Sequence, residues 1–546
     1  MRTLLLSNLV LMSLGLWACS TDTTQGPTTD FSKTDMTFTT GNETYLLSVF
    51  SLPAGEAAAA DNAEFTLTAG GAPTSALRLG QAPAAPFPGY DADAWADRLA
   101  FDAQERAGID QLIADIRAGR RTLHPAATKE PGGCSPACIG NTMCWQGSCT
   151  GTPTVTFTNN STINTTLVAV TSGAVKVNVL LDDDDASSET EATTAGNAFA
   201  AAAVKVLGFL GESGHTGALD RDGDGHMTVV FSSKLTTMGD VVGFFDYKDF
   251  LPATDAQATG NEADLLWARV PGSDTRATCE EDGGCATGII TPEVAIGTLA
   301  HEYTHLVNFA VRVYAKGAAP GDNEVLWLDE GMAHLMEDLV GYGASNIGAA
   351  AVAMQGWPSA TFASPSDSVE QRGQAYMLLR HIIDAKGRQA GSTTATAAAA
   401  SFDLHKTLLN DAERGFNHPI FQEIGADGVW QWLVATYATN NTNVTESNAK
   451  AWNYLSTASA DTGQLSGFDP FGGFVDARGN EIVLEGPKLG DGSVDELTDF
   501  AQPYTNTQAV SGSYLFLVTG LTTGTTTVTL STPTSVPFKV QAILVK

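Results

Sequence analysis

The stretch Thr298–Arg312, TLAHEYTHLVNFAVR, decides how the rest of the chain reads. Ile296, Leu299, Tyr303, Leu306, Ala310 and Val313 recur at three- and four-residue steps, and no Pro or Gly interrupts the segment. That spacing predicts a helix with one apolar face. Inside it lies His301-Glu302-Tyr303-Thr304-His305. Residues i and i+4 leave a helix on the same side, so the two imidazoles stand one turn apart and can grip a single small ion. Glu302, beside the first His, can reach a water at that ion.

Two incidental histidines on a helix are the bland alternative. The following segment, Glu324–Asp338, EVLWLDEGMAHLMED, argues against it. A hydrolytic zinc needs a third protein ligand and an open position for water. Glu330 lies 25 positions after His305 in a second amphipathic run with Leu326, Trp327, Met332, Leu335 and Met336. The Gly-, Ala- and Pro-rich stretch Lys316–Asn323 can turn the chain back, giving an antiparallel helix pair. The expectation is Zn2+ held by His301, His305 and Glu330, with Glu302 as general base in peptide hydrolysis.

HEYTHLVNF followed by WLDEG resembles the gluzincin metallopeptidases, most of all the hyicolysin family. The likeness runs from about Val175 to about Gly387 and takes in DRDGDGHMTVVF, VVGFFDYKDF, GNEADLLW and RGQAYMLLRHIIDAKG in that order. It implies a secreted zinc endopeptidase acting on protein or peptide. It also implies a downstream donor to the tetrahedral oxyanion, commonly a Tyr or His. Tyr376 is the favoured candidate, and Arg372, His381 and His418 stay open. Arg372 stands where the family-like segment more often carries a Tyr. His334, one turn after Glu330, stands where many gluzincins have an acid that orients a ligand His. It can relay to Asp329 or Asp338, compete as a ligand, or be a surface residue.

At 546 residues with 43% hydrophobic content, the chain is long enough for roughly three domains with sizeable cores. A net charge of −32 argues against nucleic-acid binding, which needs basic patches. Met1-Arg2, the apolar run Leu4–Leu16 and then Trp17-Ala18-Cys19 resemble a bacterial lipoprotein signal, with Cys19 as the acylated residue. The protein is then expected at the bacterial cell envelope, on the outer membrane or cell surface, held to the membrane by a lipid anchor only. Removing Cys19 from the seven cysteines leaves six: Cys134, Cys138, Cys144, Cys149, Cys279 and Cys285. In an exported protein these read as disulfides. The spacing does not fix the pairing; 134 with 144 and 138 with 149 is the working choice. Cys279 and Cys285 read as a pinched loop.

Asp220, Asp222 and Asp224 alternate with Arg221 and Gly223 before a strand, which can wrap a Ca2+ in oxygen ligands. Phe231 at the twelfth position excludes a full EF-hand. Asp182–Asp185 reads as a solvated turn or a second cation site. Strand-like alternation in 36–80 and again after 465 flanks an α-rich middle, and 91–119 has helical spacing around Trp95, Leu99, Ile109, Leu112 and Ile113. That helix could pack on the N-terminal strands or belong to a segment covering the active site. One strand within 240–270 could border the cleft and pair with an extended peptide. No stretch after the leader reads as a membrane span.

The fold class expected is α+β and multidomain, an α-rich gluzincin-like catalytic domain flanked by an N-terminal β domain and a C-terminal β-sandwich. The boundaries are 1–18 signal peptide, 19–35 tether, 36–128 N-terminal β/helix domain, 129–152 disulfide-rich linker, 153–460 metallopeptidase domain and 461–546 β-sandwich module. Two other functions fit the sequence. One is a non-catalytic surface binding or adhesion lipoprotein with a vestigial site. The other is a zinc aminopeptidase, which needs an acidic pocket for the free amine.

Overall fold

A computed structural model gives the fold. It describes residues 35–40, 45–53, 55–56, 62–70, 92–123, 138 and 140–438, less 159, 240, 253–259, 273–274, 280–284, 344–345, 356–358, 361–362 and 365–366. It also describes 454–455 and the strand segments 474–475, 481–482, 495–497, 504–509, 513–518, 524–531 and 539–544. Cys19 and Cys134, and with them the leader and one expected disulfide partner, lie outside the described residues.

The chain is a mixture of helix and strand, as the α+β expectation has it. A long helix, α1 (Ala92–Arg117), precedes the main sheet. The sheet has six strands in the spatial order Gly243–Phe244, Leu265–Ala268, Met227–Phe231, Val177–Asp182, Thr162–Val170 and Thr154–Thr156. Its centre is parallel, where Met227–Phe231 lies between Leu265–Ala268 and Val177–Asp182. Gly243–Phe244 closes one edge antiparallel to Leu265–Ala268. The central strands bury every side chain, Asn178 and Thr228 included, which is why VNVLL and MTVVF are mostly apolar on both faces rather than alternating.

Five further helices follow: α2 (Glu189–Leu210), α3 (Pro292–Arg312), α4 (Leu326–Val340), α5 (Asn346–Gln355) and α6 (Val369–Gln389). α2 packs on the sheet closely enough that a Cβ on Gly196 would strike the Val179 side chain. By composition alone the stretch Asp183–Leu210 could cross a membrane, contrary to the expectation that no such stretch follows the leader. Half of its apolar window is buried in the fold, and Phe199 meets Tyr303 of α3 edge to face at 6.1 Å. α3 starts where Thr291 accepts a hydrogen bond from the Val294 amide and Pro292 opens the first turn. α4 stops at Gly341, whose φ of 100° is costly for any residue with a Cβ. α3, α4 and α6 lie side by side, and their apolar faces merge into the main core.

The flanking β segments depart from expectation. The N-terminal and C-terminal strands were expected to form two separate modules, but they share sheets. Tyr45–Phe50 is paired antiparallel with both Ser513–Val518 and Lys539–Leu544. Asn62–Gly70 lies between Tyr504–Ala509 and Gly524–Ser531. Ser359–Ala360, from the middle of the chain, joins through Ser513–Val518. Period-two alternation identifies a strand without naming its neighbour. Residues 31–546 form one compact unit.

In the Asp182–Asp185 run Asp183 and Asp184 are exposed, as a solvated turn has them, and the two ends of the run are held by hydrogen bonds. Asp182 is buried, caps the turn through the Asp184 amide and accepts from Ser232 Oγ at 2.6 Å. Asp185 accepts from the Ser233 amide. Cys138 and Cys149 form a disulfide, matching the working choice, and Cys144 is disulfide-bonded as well. Cys279 and Cys285 face one another across a hairpin.

Candidate metal and catalytic site

The helical spacing places His301 and His305 together: their rings lie 4.8 Å apart on one side of α3. α4 runs back beside α3 and presents Glu330 to both. His301 Nε2 is 3.4 Å from Glu330 Oε2, and His305 Nε2 is 3.6 Å from Glu330 Oε1. Four donors around a zinc at bond lengths near 2.0–2.1 Å stand about 3.4 Å from one another in a tetrahedron. The spacing between the carboxylate and each imidazole is close to that separation. His301 Nε2 is buried and makes no hydrogen bond.

The far nitrogen of each imidazole is held by a carboxylate. His301 Nδ1 meets Glu337 Oε1 at 2.8 Å, and His305 Nδ1 meets Asp329 Oδ1 at 3.3 Å. Asp329 is fixed in turn by Asn308 Nδ2 at 2.5 Å. These bonds set the ring orientation and raise the basicity of the nitrogens that face Glu330. Burial opposes charge on His301, yet contacts with Glu330 and Glu337 hold its pKa up to about 10. Burial likewise raises the Glu337 carboxyl, and its bonds from His301 and His334 outweigh that, bringing it to about 2. Burial also works to raise Glu330, but Arg372 and the two histidines hold it well below the usual carboxylate range. The pocket thus favours positive charge where the imidazoles and Glu330 meet.

His334 is not a surface residue. It is 6% exposed, its ring centroid is 4.6 Å from that of His301, and its Nδ1 contacts Glu337 Oε1 at 3.1 Å and Asn346 Oδ1 at 2.8 Å. Its Nε2 is buried without a hydrogen bond. His301, Glu330 and His334 can bring ligand atoms within 4.8 Å of one another, so this trio could hold a metal ion. The carboxylate that meets His301 Nδ1 is Glu337, three residues beyond His334 on the same face, and not Asp329 or Asp338 through a His334 relay.

Glu302 faces the edge strand. Its Oε2 accepts from the Phe245 amide at 3.0 Å and its Oε1 from Arg98 Nη2 at 2.7 Å. The donor candidates separate. Arg372 lies against Glu330, Nη1 to Oε2 at 2.7 Å, and also pairs with Asp367 and Asp102. Tyr376, favoured from sequence as the oxyanion donor, gives its hydroxyl to Asp338 at 3.0 Å, in a buried cluster with Arg380. His418 Nε2 meets Glu324 Oε2 at 2.8 Å. His381 is buried beside the Tyr454 ring, and burial pulls its pKa down to about 3. Of the four, Arg372 is the one whose described partners include a candidate ligand.

A second acidic group lies on the sheet side of α3. Asp220, Asp222 and Asp264 can place oxygens within 4.8 Å of one another. Asp264 takes the place expected of Asp224, which accepts from Asn178 Nδ2 at 3.1 Å and from the His226 amide at 2.7 Å. Asp264 also meets His215 Nε2 at 2.6 Å, and His215 Nδ1 meets the Tyr303 hydroxyl at 2.9 Å. Tyr303 therefore packs as expected but also ties the acidic turn to the HEYTH helix. Burial, with Asp264 and Asp224 close by, pushes the Asp222 carboxyl well above its ordinary range.

No protein-family model matches the chain, and no curated protein matches it significantly.

Proposed function

We propose that this protein is a zinc-dependent endopeptidase of gluzincin type, with an α-rich catalytic region, in which His301, His305 and Glu330 hold the metal and Glu302 is the general base. The observation that carries the reading is the approach of both His301 Nε2 and His305 Nε2 to the two oxygens of one buried carboxylate. Zinc bound there would supply Lewis acidity to a carbonyl and lower the pKa of water. Glu302, on the face of α3 beside His301, is the group to take the proton of the attacking water and return it to the leaving amine. Arg372, rather than Tyr376, is the cation nearest the ligand carboxylate and the better candidate to stabilise the oxyanion. Gly243–Phe244 is the sheet edge against which an extended substrate would lie. The Asp220, Asp222 and Asp264 oxygens suit Ca2+, which would stiffen the turn behind α3. The Cys138–Cys149 disulfide supports an exported protein, and the leader reading adds an anchor at Cys19.

His334 offers a second ligand set, with His301 and Glu330. Metal analysis of His305→Ala and His334→Ala separates the two: the set proposed requires zinc to be lost from the first and kept by the second. The activity is tested by casein cleavage with wild type and Glu302→Gln. Zinc retained with cleavage lost supports the reading; a zinc-loaded wild type that cleaves no protein under any condition refutes it.

A further inference from the structure

The general base does not stand free. Arg98, on α1, is 204 positions before Glu302 in the chain, yet its Nη2 donates to Glu302 Oε1. Its Nη1 donates to the Gly243 carbonyl on the edge strand, and its Nε donates to Asp102 Oδ2 at 2.7 Å. Asp102, one turn further along α1, accepts from Arg372 Nη2 at 2.8 Å through the same oxygen. Arg372 is the partner of Glu330. Two residues at i and i+4 on one face of α1 therefore reach both the base and, through one guanidinium, the ligand carboxylate.

The remainder of α1 holds that face in place. Phe101 meets Phe244 at 5.0 Å, and Glu105 pairs with Lys248 at 2.8 Å. Arg106 donates to the Glu324 carbonyl just before α4, and Arg117 pairs with Asp322 at 2.9 Å. Gly108 lets the helix approach Tyr247 so closely that a Cβ there would sit 2.6 Å from the hydroxyl. Ile109, Leu112, Ile113 and Ile116 are buried in the main core.

We propose that α1 is a built-in inhibitor of this site, with Arg98 as its blocking side chain. Resting on the peptidase reading, the argument is one of occupancy. Each carboxylate oxygen of Glu302 already accepts a charged or backbone donor, so an incoming water must compete with Arg98 for the base. The Gly243 carbonyl, which an added peptide strand would use, is taken by the same guanidinium. Charge-assisted bonds between buried groups are stronger than neutral ones, so substrate must compete against a well-seated arginine. The chain as described is the latent form, and activity requires α1 to leave the cleft.

The test uses full-length wild type, Arg98→Ala and Arg98→Lys. In zinc buffer the alanine variant is expected to cleave a fluorogenic casein peptide at least ten-fold faster than wild type, with the lysine variant between them. In EDTA, where no cleavage occurs, a fluorescein-labelled casein peptide is expected to bind Arg98→Ala at least ten-fold more tightly. Equal affinity in EDTA overturns the proposal. Tighter binding in EDTA without cleavage in zinc keeps the proposal and removes the peptidase reading. Should Arg98→Ala fail to fold by circular dichroism, Arg106→Ala/Arg117→Ala loosens α1 at sites away from the base. It must then show the same increase in peptide binding, and no increase overturns the proposal.

Discussion

Glu337 gives the sharpest quantitative test of the site. Its Oε1 is the acceptor for His301 Nδ1 at 2.8 Å and also contacts His334 Nδ1 at 3.1 Å. Replacing it with Ala leaves a buried imidazole N–H with no acceptor and removes the negative charge that raises the basicity of His301 Nε2. Loss of such an outer partner costs roughly 10- to 100-fold in metal affinity, or about 1.4–2.7 kcal/mol. His334 keeps Asn346, so the damage falls chiefly on His301. Glu337→Gln retains an acceptor oxygen without the charge and should lie near the ten-fold end. Zinc affinity measured by competition with a chromophoric chelator, on variants shown to be folded, reads the effect directly. An affinity for Glu337→Ala within two-fold of wild type would refute the idea that this carboxylate tunes a ligand.

Burial keeps His381 neutral in the fold, with a pKa lowered to about 3, whereas the unfolded chain charges it near 6.5. The unfolded state therefore binds the extra proton between those values, so the stability His381 contributes is present above pH 6.5 and is lost as the solution is acidified. His381→Leu should remove about 2 kcal/mol of the stability difference between pH 7 and pH 5, measured by urea unfolding at the two pH values; an unchanged difference counts against it. Calcium at a hundred times its dissociation constant should stabilise wild type by about 2.7 kcal/mol. Asp222→Asn and Asp264→Asn should abolish the calcium-dependent rise in Tm while Asp224→Asn keeps it; a rise lost with Asp224→Asn and kept with Asp264→Asn would restore the sequence-based ligand set. Gly196→Ala should destabilise by about 1–3 kcal/mol by overpacking α2 against Val179, with a variant as stable as wild type contradicting that packing.

What the sequence made legible was local. The spacing of His301, Glu302 and His305 follows from one helix, and the Gly- and Pro-bearing turn before Leu326 made a returning helix with Glu330 readable. Glu337 could have been found by the same reasoning, since 330, 334 and 337 fall on one helical face. Asp264 left a fainter signal, an acid directly before the apolar run LLWA. Arg98 and Asp102 left none: an arginine in a charged helix resembles any solvated one, and only the packing of α1 on the edge strand brings it to Glu302. Family likeness points to Tyr376, but its hydroxyl is committed to Asp338 by a cluster that spacing along α6 cannot reveal. The shared sheets were hidden for a similar reason, because alternation carries no information about partners across hundreds of residues.

Those shared sheets bear on how the polypeptide can be made. Tyr45–Phe50 is synthesised several hundred residues before either of its sheet neighbours. Until then it is an apolar strand with two open edges, and its eventual pairing closes a loop of roughly five hundred residues. Such an order favours slow folding and invites off-path association. It also leaves Tyr45–Phe50 without either of its sheet partners until Ser513–Val518 has been made.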